Sequence, residues 1–268
     1  MTRTFYKYEG TGNDFILFDD REASFDHTNI KFIAHLCDRR FGIGADGLML
    51  LRNKQGYDFE MVYFNSDGNP SSMCGNGGRC ISRFALDIGA VKKQARLNDK
   101  VGQEANFLAI DGPHTAIIGP ETVKLKMNDV GEIENGADFF YMNTGSPHYV
   151  KFMNDVQSMN VVSEGKKIRN SERFIKEGTN VNFVAQQDGG IFVRTYERGV
   201  EDETLSCGTG VTASALAAAL KGIASSEKCA VHTRGGHLSV HFKRDGNYFT
   251  NVWLEGPATF VFKGEITS

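Results

Sequence analysis

The chain has 268 residues, room for one large domain or two of ordinary size, and its 40% apolar and 24% charged residues are a globular composition. A net charge of −3 gives no electrostatic reason to expect a nucleic acid or a membrane surface as partner. Met1-Thr2-Arg3-Thr4-Phe5 lacks an apolar signal core, no run approaches spanning length, and the five cysteines are odd in number and irregularly spaced. A soluble cytoplasmic protein without a disulfide framework is therefore expected, and the lack of CxxC or HExxH leaves a metal site without support.

In chain order, residues 5–8 and 15–18 read as short strands around the turn Gly10-Thr11-Gly12-Asn13-Asp14. Asn13 there is either a backbone choice or an amide aimed at a ligand, and the turn role alone would account for it. A helix over about 29–40 carries Ile30, Ile33, Ala34 and Cys37 on one face, which makes Cys37 a core residue. Gly42-Ile43-Gly44-Ala45-Asp46-Gly47 matches GxGxxG, but it follows a helix and enters a strand-like run, the reverse of a dinucleotide fingerprint. A strand over 59–65 and a polar loop lead to Ser72-Met73-Cys74-Gly75-Asn76-Gly77-Gly78-Arg79, after which Ile81, Phe84, Ala85 and Ile88 recur at helical spacing. Cys80 falls inside that helix and reads as packing.

Short strands separated by turns fill 95–127. The second half opens near Met127, with Asn143-Thr144-Gly145-Ser146-Pro147-His148 in the place of the first turn. His148 is open to two readings, a general acid/base or a polar group satisfied in the turn. A helix around 171–176 and strands at 181–185 and 191–197 lead into Leu205-Ser206-Cys207-Gly208-Thr209-Gly210-Val211. An alanine-rich helix follows, ending near Gly222. Strands at 230–233, 238–242, 252–254 and 258–262 close the chain.

The two cysteine stretches are one motif written twice. An offset of 133 carries Cys74 to Cys207, Gly75 to Gly208, Gly77 to Gly210, Ala85 to Ala218 and Gly89 to Gly222. Upstream it carries Tyr63-Phe64-Asn65 to Tyr196-Glu197-Arg198, Gly47 to Asn180, and Gly12-Asn13 to Gly145-Ser146. A register held without a gap over that distance is an internal duplication. It divides the chain into two halves built alike, the first carrying Cys74 and the second, from near Met127, carrying Cys207.

A thiol just before a helix faces unpaired N–H groups and the positive end of the helix dipole, which favours the thiolate. The glycines let a ligand approach the backbone, so an anionic group could bind the same amides. Two equivalent acid/base groups, one from each half, would face each other across a cleft. Inversion of a stereocentre needs that geometry: a base removes the proton from one face and an acid returns one to the other. No lysine lies in either motif, so a pyridoxal cofactor has no anchor there.

Gly12-Asn13-Asp14-Phe15, Gly44-Ala45-Asp46-Gly47, Phe64-Asn65-Ser66-Asp67-Gly68, Cys74 to Cys80, Tyr196-Glu197-Arg198-Gly199 and Ser206 to Gly210 together resemble the diaminopimelate epimerase family, in its order and over essentially the whole chain. The resemblance implies a cofactor-independent isomerase that interconverts LL- and meso-diaminopimelate for lysine and cell-wall precursor synthesis, as a homodimer acting on a small amino acid. It implies Cys74 as proton donor and Cys207 as acceptor, with His148 and Glu197 as polar residues beside the catalytic centre. Asn13, Asn65, Asn180, Glu197 and Arg198 would hold the substrate, while Gly75, Asn76, Gly208 and Thr209 would present backbone amides to the reacting carboxylate. The fold implied is α/β (α+β), two pseudo-symmetric halves, each a barrel-like, mainly antiparallel sheet around a central helix, with the last strand returning to the first half. Residues 1–126 with 257–268 would then form one half and residues 127–256 the other, the site lying in the cleft between them. Gly47 and Ser146 depart from the residues most usual at those places. Another racemase or isomerase of the same fold, and a non-catalytic or thiol-redox protein, are the competing readings.

Overall fold

A computed structural model describes residues 2–91, 102–225 and 227–267. The strand expectation for 95–101 lies outside the described residues. The elements run β1 (Thr2–Gly10), β2 (Asn13–Asp19), α1 (Ile30–Cys37), β3 (Gly47–Arg52), β4 (Phe59–Asn65), α2 (Gly75–Asp87), β5 (Gln103–Ala109), β6 (Gly112–Ile118), β7 (Thr122–Lys126), β8 (Ile133–Asn135), β9 (Phe140–Asn143), β10 (Pro147–Phe152), α3 (Val161–Arg169), β11 (Asn180–Gln187), β12 (Gly190–Glu197), β13 (Asp202–Thr204), α4 (Gly208–Leu220), β14 (Lys228–Thr233), β15 (Gly236–Asp245), β16 (Tyr248–Pro257) and β17 (Thr259–Thr267). They form two compact units, residues 1–125 with 257–268, and residues 126–256. Sheet dominates both, so the class is α+β.

In the first unit the strands pair in the order β17, β1, β2, β3, β4, β5, β6, β7. The β2–β3 and β4–β5 pairs are parallel and the others antiparallel. β1 turns into β2 through Thr11 and Gly12, both at positive φ (55° and 83°), the conformation a two-residue hairpin requires. Asn29 caps α1 by accepting from the Phe32 amide at 3.1 Å. The helix buries Ile33, Leu36 and Cys37 against Ile16, Leu48, Leu50 and Phe64. α2 packs on β1, β2, β3, β6 and β17, and Cys80, Ile81, Phe84 and Ala85 are wholly buried.

The second unit repeats this order. β9 pairs with β8 and β10, β10 runs parallel to β11, β11 antiparallel to β12, and β12 parallel to β14, with β15 and β16 following. α4 touches β9, β10, β11, β12, β14 and β15. Its residues 210–219 are buried, which suits an alanine-rich helix whose two polar side chains there, Thr212 and Ser214, donate to its own Gly208 and Gly210 carbonyls. Full burial of Val211 and Leu216 is worth about 1.5–3 kcal/mol each.

Two sequence expectations need correction. The helix before β11 lies at Val161–Arg169 rather than around 171–176, where Ile175 N–H to Ser171 C=O closes a single turn. Asn160 caps it through the Ser163 amide. Gly165 hides it from propensity, yet a Cβ there would lie 2.4 Å from Tyr196 Cβ, so close packing demands the glycine.

The repeat is also not free of gaps. Phe15 opposite Gly47 and His148 opposite Asn180 keep the 133-residue offset. Leu48, however, faces Phe64, whereas Val181 faces Tyr196, one residue short of the offset. Asn65 therefore corresponds in register to Glu197 rather than Arg198. α2 and α4 return to the 133-residue offset.

Candidate functional site

In the first unit Cys74 is the N-cap of α2, in extended conformation (φ −109°, ψ 129°), and its carbonyl accepts from the Gly78 amide at 2.7 Å. Its Sγ lies 3.6 Å from Asn13 Oδ1. The orientation of that amide is fixed from behind. Asn13 Nδ2 donates to Asp46 at 2.6 Å, and an ionised carboxylate only accepts, so Oδ1 is left to face Cys74 and Asn76 Nδ2 (3.5 Å). Arg39 ties Asp46 (2.7 Å) to Asp14 (2.6 Å), and the buried Lys7 pairs with Asp14 at 2.7 Å. Burial alone would raise the Asp14 pKa, but hydrogen bonds from Arg39 and Lys7 outweigh it and hold the carboxyl at about 2.

Asn76 is buried with Thr11 Oγ1 at 3.4 Å, and Gly75 opens the helix. The wholly buried Arg79 donates to Gly75 and Pro257 carbonyls and to Thr11 Oγ1, and burial lowers its pKa. Asn65 stands exposed at the end of β4.

In the second unit Cys207 is the N-cap of α4 (φ −119°, ψ 112°), with its carbonyl 2.8 Å from the Val211 amide. Its Sγ is 3.5 Å from Thr209 Oγ1, and Thr209 Oγ1 is 2.8 Å from His148 Nε2. His148 lies not in a turn but within β10, as its second residue, and it is wholly buried. Burial first, and the Arg198 charge second, push its pKa down to about 3, so the imidazole is neutral at physiological pH. Behind it, Asn182 Nδ2 lies 3.1 Å from His148 Nδ1.

Asn180 donates to Ser146 Oγ (2.8 Å) and the Pro147 carbonyl, and accepts from the Arg198 backbone N–H at 2.9 Å. Arg198 reaches the Glu177 carbonyl and Ser146 Oγ. Gly208 and Thr209 form the first turn of α4, and the Thr209 carbonyl accepts from Thr144 Oγ1. Glu197 ends β12, half-buried.

Each unit thus gathers its own share of the expected residues around a helix start: Cys74, Asn13, Asn76 and Gly75 in one, and Cys207, Thr209, His148, Asn180 and Arg198 in the other. The remaining thiols differ. Burial pushes Cys37 and Cys229 up to about 12 and Cys80 higher still, which makes them inert packing residues. Sequence reading overlooked Asp46, Arg39, Asn182 and Thr195. The only signal for Asn182 was its place two residues after Asn180, which on a strand puts both on one face. The motif glycines also do more packing than expected. A Cβ at Gly210 would lie 2.3 Å from Asn182 Oδ1, and one at Gly47 would lie 2.5 Å from the Tyr63 ring.

Among the described residues, no group of three or more His, Cys, Asp or Glu is placed to hold a metal ion, and no helix is long and apolar enough to cross a membrane.

The diaminopimelate epimerase family model matches residues 5–111 and 140–261. A diaminopimelate epimerase from Flavobacterium psychrophilum is 48% identical over 263 residues, covering 97% of this chain and 99% of its own. One from Chlorobaculum tepidum is 40% identical, covering 96% and 99%. Among solved structures, a phenazine biosynthesis protein of the PhzF family from Bacillus anthracis superposes with a TM-score of 0.78 at 13% identity, covering all of both chains. A hydroxyproline epimerase from Agrobacterium vitis, with bound trans-4-hydroxy-L-proline, gives 0.71 at 14% identity and covers 99% and 92%. At such identities these likenesses speak for the fold alone.

Proposed function

The chain belongs to the diaminopimelate epimerase family, and from that premise we propose that it interconverts LL- and meso-2,6-diaminopimelate without an added cofactor, with Cys74 and Cys207 as the acid/base pair. The observation that carries the reading is the equivalence of the two cysteines: each is the N-cap of a 13-residue helix at the same place in its unit. In the LL-to-meso direction the Cys207 thiolate takes the α-proton. The electron pair left on carbon is shared with the carboxylate, and Cys74 delivers its S–H proton to the opposite face. The reverse direction exchanges the roles, and the two thiols titrate as a pair.

The negative charge that develops on the carboxylate is met by first-turn amides of Gly75, Asn76, Gly208 and Thr209 at positive helix ends. His148, held neutral, serves as a hydrogen-bond partner rather than as the base. Asn13, Asn65, Asn180, Glu197 and Arg198 bind the rest of the amino acid, with Arg198 offering a two-pronged donor to its distal carboxylate. The enzyme works in the cytoplasm, where its five free thiols stay reduced. It acts as a homodimer, a reading supported by Phe260, Val261 and Phe262, 44–51% exposed on β17.

The test is an assay of purified protein with LL-diaminopimelate, and with proline, hydroxyproline and glutamate as controls. We expect turnover of diaminopimelate alone, lost in Cys74→Ala and in Cys207→Ala by about a hundredfold to ten-thousandfold. Near-normal turnover in either variant would overturn the pair.

A further inference from the structure

The second unit holds a line of hydrogen bonds that ends on Cys207, and its direction can be read from one end to the other. Tyr149's carbonyl can only accept, and Asn182 Nδ2 lies 3.1 Å from it. The same nitrogen lies 3.1 Å from His148 Nδ1, and Asn182 Oδ1 accepts from Thr195 Oγ1 at 2.9 Å. The amide is therefore pinned with its NH2 toward the imidazole. A donor opposite Nδ1 obliges that nitrogen to accept, so in a neutral ring the proton sits on Nε2. Nε2–H then donates to Thr209 Oγ1, 2.8 Å away, and the Thr209 hydroxyl proton is left for Cys207 Sγ at 3.5 Å. The sulfur receives a hydrogen bond, which favours the thiolate over the thiol.

We propose that Asn182 is a positioning residue: it fixes the Nε2–H tautomer of His148 and so, through the Thr209 hydroxyl, favours the Cys207 thiolate that accepts the proton in the LL-to-meso direction. Three features support this direction. Thr195 and Asn182 are almost fully buried, so water does not compete for the amide. Gly210 leaves the space the amide occupies, since a Cβ there would lie 2.3 Å from Asn182 Oδ1 and 3.3 Å from His148 Cε1. Arg198, the charged group acting on His148, opposes a second proton on the ring. At Cys74 one neighbour is the acceptor Asn13 Oδ1, 3.6 Å from its Sγ.

The inference rests on Cys207 being the base of the proposed epimerase, but its first test needs no turnover, so the two can fail separately. Long-range proton–nitrogen NMR of 15N-histidine protein, with His148 assigned by His148→Gln, should show one ring with Nδ1 unprotonated and Nε2 protonated from pH 5 to 8. The opposite tautomer, or titration within that range, overturns the proposal. In Asn182→Asp the new carboxylate accepts where the amide donated, so Nδ1 should become protonated; an unchanged Nδ1 signal overturns it as well. Site-resolved alkylation with iodoacetamide at pH 7 reads the far end. Thr209→Val should slow modification of Cys207 about tenfold, the equivalent of roughly one pKa unit, while Cys74 keeps its rate and Thr209→Ser restores Cys207. Equal rates in Thr209→Val and wild type, or equal slowing at both cysteines, would contradict the chain.

Discussion

At the scale of single residues, His148 and Arg198 are linked in a way that makes opposite demands on pH and on substrate. His148 is buried as the neutral ring, with its pKa lowered to about 3 against about 6.5 when unfolded. A lowered folded value means the unfolded chain binds the extra proton first. The contribution is therefore present above pH 6.5 and is lost as pH falls from there toward 3. Denaturant unfolding of wild type and His148→Gln should show the stability difference between them shrinking by about 2 kcal/mol from pH 7 to pH 5. A gap that stays constant would mean the ring takes up its proton in the fold as readily as in the unfolded chain. Arg198 is exposed, and its backbone N–H is anchored by Asn180 Oδ1. If its guanidinium grips the distal carboxylate, Arg198→Lys should raise KM or lower kcat markedly, because a point charge does not replace a two-pronged donor. Unchanged kinetics would remove Arg198 from the binding set.

Among elements, α4 shows how far the sequence could be read and where it stopped. Its run of alanines, the motif before it and Gly222 after it marked the helix plainly, as did the equivalent cysteine entrance to α2. Strands with alternating apolar residues, such as β4 and β12, were legible for the same reason: their period is local. What was not legible depends on partners far along the chain. Gly165 argues against α3 until Tyr196 is seen against it, and Asp46 means nothing until Asn13 and Arg39 are seen beside it. The one-residue slip between β4 and β12 is invisible to an alignment of the chain on itself, because α2 and α4 recover the offset. Gly210 condenses the point: it reads as an opening for ligand, yet Asn182 fills the space. Gly210→Ala should cost about 1–3 kcal/mol by overpacking, measured by urea unfolding. It should also lower kcat, since the amide behind His148 must move. A variant as stable and as active as wild type would contradict this account of the glycine.

For the whole molecule, duplication explains why the same pairing order and the same cysteine-headed helix occur in both units. If two copies of this chain associate through β17, charge on its apolar face should separate them. Phe260→Asp is then expected to shift sedimentation from dimer to monomer, whereas an unaltered dimer would place the interface elsewhere. If the two cysteines serve one carbon, mild peroxide should join Cys74 to Cys207, with two thiols oxidised and peroxide reduced to water. Dithiothreitol should then restore activity, and substrate should protect; peptide mapping that finds another pair would count against the arrangement. The most direct measurement is turnover of LL-diaminopimelate in deuterium oxide, stopped within the first few per cent of reaction. Two bases on opposite faces predict meso product carrying one solvent deuterium at the inverted carbon from the first turnovers, with the remaining LL substrate still protiated. Product that keeps the substrate's own α-proton would show a single shuttling base and contradict the account.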